Sequence, residues 1–177
     1  MSPNRSMRNT SKNAHVYQIN VKPETPGQRG LPKLAVSSAV VTREGIVGDF
    51  NRYRHEHRRD NPDMALLVMP LEMLQRLNEE GWPLRPGDIG ENITTVGIPN
   101  ESFAQGNCYK IGEVEIQISV KCDPCKNLYG LSYVGGKRGP EFVKTMLNRR
   151  GWYARVLKAG RIKKDDVIEQ IQRKARL

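Results

Sequence analysis

NCYKIGEVEIQISVKCDPCKNL, residues 107–128, holds the clearest strand pattern of the chain and all three of its cysteines. Val114, Ile116, Ile118 and Val120 alternate with Glu115, Gln117 and Ser119, which puts one set of side chains on a core face and turns the other away. Gly112-Glu113, between this run and the preceding apolar residues, is a Gly-X pair suited to a two-residue type II′ hairpin turn. The spacing predicts two antiparallel strands with Cys122 and Cys125 just past the end of the second. Loops at strand ends are where a rigid scaffold commonly presents reactive groups.

The flanking sequence extends this pattern. HVYQINVKP alternates from residue 15 and predicts a first strand whose apolar face is Tyr17, Ile19 and Val21. PETPGQRGLPKL is a turn-rich loop. AVSSAVVTREGIVGDF is strand-like over residues 36–42 and broken at Gly45 and Gly48-Asp49. ALLVMP, residues 65–70, suits a buried strand as well as the first turn of a helix. PLEMLQRLNEEG predicts a helix with Pro70 at its first position, Leu71, Leu74 and Leu77 at helical spacing, and Gly81 as a left-handed cap. A bend-rich segment then leads into a short strand over residues 93–96. GPEFVKTMLNRRG predicts a second helix with Phe142, Val143, Met146 and Leu147 on one face, and WYARVLKAG and DVIEQIQ predict two closing strands joined by a lysine-rich turn. Many short strands with two helices predict a mainly β architecture, α+β overall, built as a barrel with helical insertions. Residues 1–14 are polar and aperiodic and predict a disordered tail, residues 15–170 a single domain, and residues 171–177 a basic C-terminal tail.

At 177 residues the chain suits one domain, which at this size buries about 70% of the surface its unfolded chain would expose. Three cysteines are too few for a disulfide scaffold, and neither a secretory leader pattern nor an apolar run of about 18 residues is present. The expectation is a cytoplasmic protein with reduced thiols and no membrane span. A formal net charge of +10 suits nucleic acid, an anionic membrane surface or a small phosphorylated ligand. The densest basic run, RYRHEHRR at 52–59, contains one aromatic, whereas single-strand binders interleave several with their cations. It reads as a solvated basic loop, and nucleic acid is the disfavoured partner.

The cysteine pair leaves several chemistries open. Structural zinc needs four ligands, and one Cys-x-x-Cys with His55 and His57 at i, i+2 is a poor set. Dithiol redox chemistry wants the pair to open a helix, but glycines 130, 135 and 136 follow. Two cysteines that merely pack are a third reading. Pro124 stiffens the turn before Cys125, and Lys121 and Lys126 place positive charge nearby. A thiol with pKa about 8.5 is only about 3% thiolate at pH 7, and lowering it by about one raises that to roughly a quarter. These residues favour a single reactive sulfur at Cys125.

Taken in order, GIVGD (45–49), RPGDIGENITTVG (85–97), IGEVEIQISVKCDPCKNL (111–128) and RGWYARVLKAG (150–160) resemble the MOSC domain family, whose domain also forms the C-terminal part of molybdenum cofactor sulfurases. The resemblance spans about residues 16–168 and is that of a small stand-alone member. It implies a β-barrel of the pyruvate-kinase-barrel kind and a catalytic cysteine, here Cys125, that carries sulfur as a persulfide or ligates molybdenum of the molybdopterin cofactor. It further implies either reduction of N-hydroxylated compounds, with an electron-transfer partner, or a non-catalytic sulfur-carrier role fed by a separate cysteine desulfurase, the only place where pyridoxal phosphate is expected. Carried over position by position, Asp49 matches the family's Gly-Asp bend, with Asn51, His55 or His57 in place of the histidine expected after it. Gly90, Glu91 and Asn92 match Gly-Glu-Asn, and Arg150, Tyr153 and Arg155 match the closing motif. All seven matched residues are implied to bind the cofactor, or only to build turns and cover the barrel. Cys122 stands where a basic residue is expected and could resolve a persulfide as a disulfide. Asp165 replaces a glycine, as a residue that visits left-handed conformations more readily than most.

Overall fold

Short alternating segments punctuated by glycine produce the strands. The computed structural model describes residues 13–173, and in chain order the strands are β1 (His15–Val21), β2 (Leu34–Val36), β3 (Ser38–Thr42), β4 (Gly45–Ile46), β5 (Leu66–Pro70), β6 (Ile93–Val96), β7 (Cys108–Ile111), β8 (Val114–Lys121), β9 (Trp152–Lys158), β10 (Gly160–Lys163) and β11 (Ile168–Ile171). The helices are α1 (Arg52–Arg58), α2 (Leu71–Glu79) and α3 (Gly135–Thr145). The predicted N-terminal tail lies outside the described residues except for residues 13 and 14, of which Ala14 is buried in the core. The predicted C-terminal tail lies outside them except for residues 171–173, and Ile171 still pairs in β11.

The β7–β8 hairpin is as the alternation predicts: Ile111 pairs with Val114 and Cys108 with Gln117, and Gly112 makes the turn at φ +55°. It lies in a mixed sheet of order β11-β7-β8-β9-β5-β6-β1-β2, in which β5–β6 is parallel. An antiparallel bridge between His15 and Val167 joins the far ends, with Val16 N–H donating to the Asp166 carbonyl at 2.9 Å and Ile168 N–H to that of Ala14 at 2.8 Å. Those bonds are the seam of the barrel, and β2 hangs outside it on β1. Asp165, beside the seam, has φ +67°, the left-handed conformation its substitution for glycine calls for. A smaller sheet, β10-β3-β4, contributes Val41, Ile46 and Ile162 to the barrel core of Val16, Ile19, Leu66, Val68, Ile116 and Ala154. A second core joins α2 and α3 through Leu74, Leu77, Trp82, Phe142 and Met146.

Four expectations are corrected by tertiary packing. In β1 a bulge between Val16 and Gln18 inserts a residue and flips the pattern, so Val16, Ile19 and Asn20 are buried and Tyr17 is exposed. The basic run 52–59 is solvated over residues 55–59, as expected, but it is not a loop. Most of it is α1, capped by Asn51, whose side chain accepts from Arg54 N–H at 3.0 Å. Arg54 is buried and donates to the carbonyls of Asn61 at 2.9 Å, Asp60 at 2.9 Å and Glu44. That charge is consumed inside the fold. The helix after Cys125 starts at Gly135, against helix propensity, and its Gly139 lies directly against the Tyr129 ring, where a Cβ would strike it. Phe142 and Met146 are buried, while Leu147 faces outward. The closing segment is three strands, since the lysine-rich stretch itself forms β10 against β3.

Candidate functional site

β8 ends at Lys121, and Cys122 N–H donates to the Gly151 carbonyl at 3.0 Å, tying the cysteine loop to the start of β9. Gly151 has φ +82° and lies so close to the Val68 carbonyl that a Cβ would collide with it, so only glycine lets the two strands meet there. Cys125 then caps a 3₁₀ turn, Lys126–Gly130, through its backbone, with its side chain taking no part in the cap. The sulfur is left to face outward from the turn. Arg150 reaches it: Nη1 donates to Cys125 Sγ at 3.3 Å and to the Asp123 carbonyl at 3.0 Å, and Nη2 donates to the Ile89 carbonyl at 3.1 Å. Arg150 is buried, and its Nε has no hydrogen-bond partner.

Cys125 and Arg150 line a cavity of about 750 Å³. One wall comes from the loop carrying Gln28, Arg29, Leu31 and Lys33, a second from Phe50, Asn51, Tyr53 and Arg58 of the α1 region, and a third from Lys121, Asp123, Lys126 and Asn127 of the cysteine loop. Met64, Leu67, Gly90 and Tyr153 also line it. Cations outnumber carboxylates along it, so the cavity suits a guest with negative charge. Arg58 is held by two bonds to the Tyr53 hydroxyl, at 2.6 and 3.0 Å.

The predicted residues divide into those on the wall and those behind it. Cys125, Gly90, Arg150 and Tyr153 line the cavity. Asp49 lies behind the wall, where it accepts from Lys33 Nζ at 2.6 Å, from Lys22 N–H at 2.8 Å and from Asn92 Nδ2 at 2.8 Å. Asn92 is spent in the same place, since its Oδ1 accepts from Leu67 N–H at 3.1 Å. Glu91 is fully buried, with Oε1 accepting from Gly87 N–H at 2.6 Å and Thr94 Oγ1 at 3.0 Å, and Oε2 without a partner. Arg155 does not reach the cavity; it is 44% exposed and paired with Asp63 at 2.6 Å, on the far side of the turn Pro62–Met64. Cys122 is sealed with Met64, Leu67 and Tyr153, and burial pushes its thiol pKa up against the nearby Arg150 charge. The Tyr153 hydroxyl donates to it, and burial pushes that phenol up as well. All three cysteines are free. Asn51 both caps α1 and lines the cavity, whereas His55 pairs with Asp60 at 3.0 Å and His57 packs on the Tyr53 ring. Among the described residues no cluster of three or more His, Cys, Asp or Glu could hold a metal ion by itself.

Lys33 was hidden from the sequence. Its loop reads only as turn-rich, and a lysine before a strand carries no motif. The signal it did offer is that a glycine-rich loop carrying two cations precedes an edge strand.

Glu91 makes a pH dependence. Burial, opposed by the Gly87 and Thr94 hydrogen bonds, raises its pKa from 4.5 to about 7. Between these values the folded protein holds a proton that the unfolded chain has released, so stability falls as pH rises. The full contribution is present below about 4.5 and is gone above about 7, a difference of roughly 3 kcal/mol. Urea unfolding at pH 4.5 and pH 8.5 is expected to show that Glu91→Gln flattens this slope.

Residues 55–169, more than half of the chain, match the family model described as the MOSC domain. The chain is 28% identical over 148 residues to the YflK protein of Bacillus subtilis, covering 82% of this chain and 65% of that one. It is 33% identical over 90 residues to a protein of Gibberella moniliformis named a reductase, covering 49% of this chain and 15% of that one. The structure of YiiM from Geobacillus stearothermophilus superposes with a TM-score of 0.69 at 25% identity, covering 90% of this chain and 76% of that one. The chain thus spans just under two thirds of YflK and a small part of the reductase. Among the described residues no helix is long and apolar enough to cross a membrane.

Proposed function

The chain belongs to the MOSC domain family, and on that premise we propose that its cavity holds the molybdenum cofactor, with Cys125 as the protein's ligand to the metal, for the reduction of N-hydroxylated compounds. The observation that carries this reading is the Cys125 sulfur on the wall of a cavity of about 750 Å³ with a buried guanidinium 3.3 Å away. The residues present fit the group. A thiolate is a soft ligand of the kind such a metal takes, the cationic lining suits a phosphorylated guest, and the buried Arg150 Nε is a donor still without an acceptor. The name of the Gibberella moniliformis relative supports a reductase, though this chain matches only 15% of that protein.

When bound, the cofactor supplies the two-electron redox chemistry, and the protein supplies binding, orientation and charge. Arg150, fixed by the Asp123 and Ile89 carbonyls, orients the sulfur. Gly90 keeps the wall open beside Leu31, whose side chain a Cβ would strike. Tyr153 closes the floor over Cys122, so one thiol alone faces the guest. Reduction of an N–OH group consumes two electrons and two protons and releases water, which calls for a separate electron-transfer partner in a reducing, cytoplasmic setting.

A carrier role is the second reading, favoured by the partial exposure of Cys125. Here Cys125 accepts sulfur from a separate pyridoxal-phosphate desulfurase, and Arg150 donates to the persulfide. Metal analysis and native mass spectrometry of the chain made in a cofactor-competent host separate the two. About one molybdenum per chain supports the cofactor reading, one added sulfur without molybdenum supports the carrier, and neither would overturn both.

A further inference from the structure

The cations on the cavity wall are of two kinds. Arg29, Lys121 and Lys126 are exposed. Lys33, by contrast, is buried, with its side chain 4% exposed, and still contributes to the lining. Its backbone N–H donates to the Gly87 carbonyl at 2.9 Å, and its ammonium is held by Asp49 Oδ2 at 2.6 Å. Asp49 is itself held by Lys22 N–H and Asn92 Nδ2, each at 2.8 Å. An ammonium carries three donors, and the carboxylate behind the wall engages it from one side. A buried donor whose geometry is fixed in advance costs little ordering when a guest arrives, unlike a surface lysine.

We propose that Lys33 anchors an oxyanion subsite of this cavity, taking a phosphate or carboxylate group of the guest, and that Asp49, held in turn by Asn92, is a positioning residue that aims the ammonium from behind. This assigns Asp49 of the Gly-Asp bend and Asn92 of the Gly-Glu-Asn turn a role one layer removed from the guest. The inference rests on the cavity being the ligand site proposed above, but not on the identity of any metal.

Inorganic phosphate titrated into the full chain, made in a host without molybdenum cofactor, tests it by calorimetry. The double variant Lys33→Met/Asp49→Asn removes both buried charges together, so the fold is retained, and phosphate affinity is expected to fall roughly tenfold or more. Wild-type affinity in the folded double variant, or no phosphate binding by the wild type, would overturn the subsite. A measurement free of mutation guards against misfolding: phosphate is expected to shift the nitrogen resonance of the Lys33 ammonium and not that of Lys158, and an unchanged Lys33 resonance counts against the proposal. The source of the anion follows from molybdenum content in a cofactor-competent host. Loss of molybdenum in the double variant assigns the subsite to the cofactor's phosphate. Retained molybdenum with weaker binding of an N-hydroxylated carboxylate, but not of its uncharged amide, assigns it to the substrate. Because phosphate binding needs no molybdenum, failure of the redox reading leaves this result standing, and the reverse also holds.

Discussion

Cys125→Ala is expected, on the proposed cofactor role, to prevent molybdenum binding and reduction of N-hydroxylated compounds while leaving the melting temperature within about 2 °C of wild type. The sulfur is the soft atom that this chain sets on the cavity wall beside Arg150. Its removal takes away the ligand without opening the core, because the Cys125 backbone continues to cap its turn and Arg150 keeps the Asp123 and Ile89 carbonyls. Metal analysis and turnover are read together with thermal unfolding. Molybdenum retained at wild-type stoichiometry in the folded variant would end the assignment of Cys125 as ligand. Cys122→Ala is the useful contrast, since that thiol is sealed under Tyr153 and its loss should act on stability before it acts on the metal.

Asp49→Ala is expected to cost about 3–5 kcal/mol of stability, the range for leaving one partner of a buried ion pair without the other. Lys33 and Asp49 are 4% and 7% exposed, so little solvent can replace the lost carboxylate. Two further donors, Lys22 N–H and Asn92 Nδ2, lose their acceptor with it. For a chain of this size the melting temperature should drop by about 6–20 °C. Lys33→Met/Asp49→Asn should recover part of that loss, since no buried charge remains and asparagine keeps an acceptor for Lys22 N–H, while its amide nitrogen leaves Asn92 Nδ2 without one. A cycle over the single and double variants measures the coupling. If the effects simply add, Asp49 does not act through Lys33.

Much of this molecule is written in short stretches. The β7–β8 hairpin and the position of Cys125 beyond its end follow from period-two alternation and one Gly-X turn, both of which depend only on neighbours in the chain. Helix α2 and the left-handed Asp165 are legible for the same reason. Three of the four motifs, those at 85–97, 111–128 and 150–160, fall within the residues that match the family, each a short stretch whose turn or alternation is readable by itself.

What lay beyond local reading depends on partners distant in the chain. The β1 bulge is set by pairing with β6, and within α3 Gly139 is required because the Tyr129 ring fills the space a side chain would need. Asp49, Asn92 and Lys33 meet only after three separate loops fold together, which is why motif residues expected on the ligand stand behind a lysine no motif marks. Alternation and turn chemistry settle the direction of a strand and the site of a thiol. Burial, which is a property of the folded barrel, selects the charges that become fixed, Lys33 and Asp49 among them.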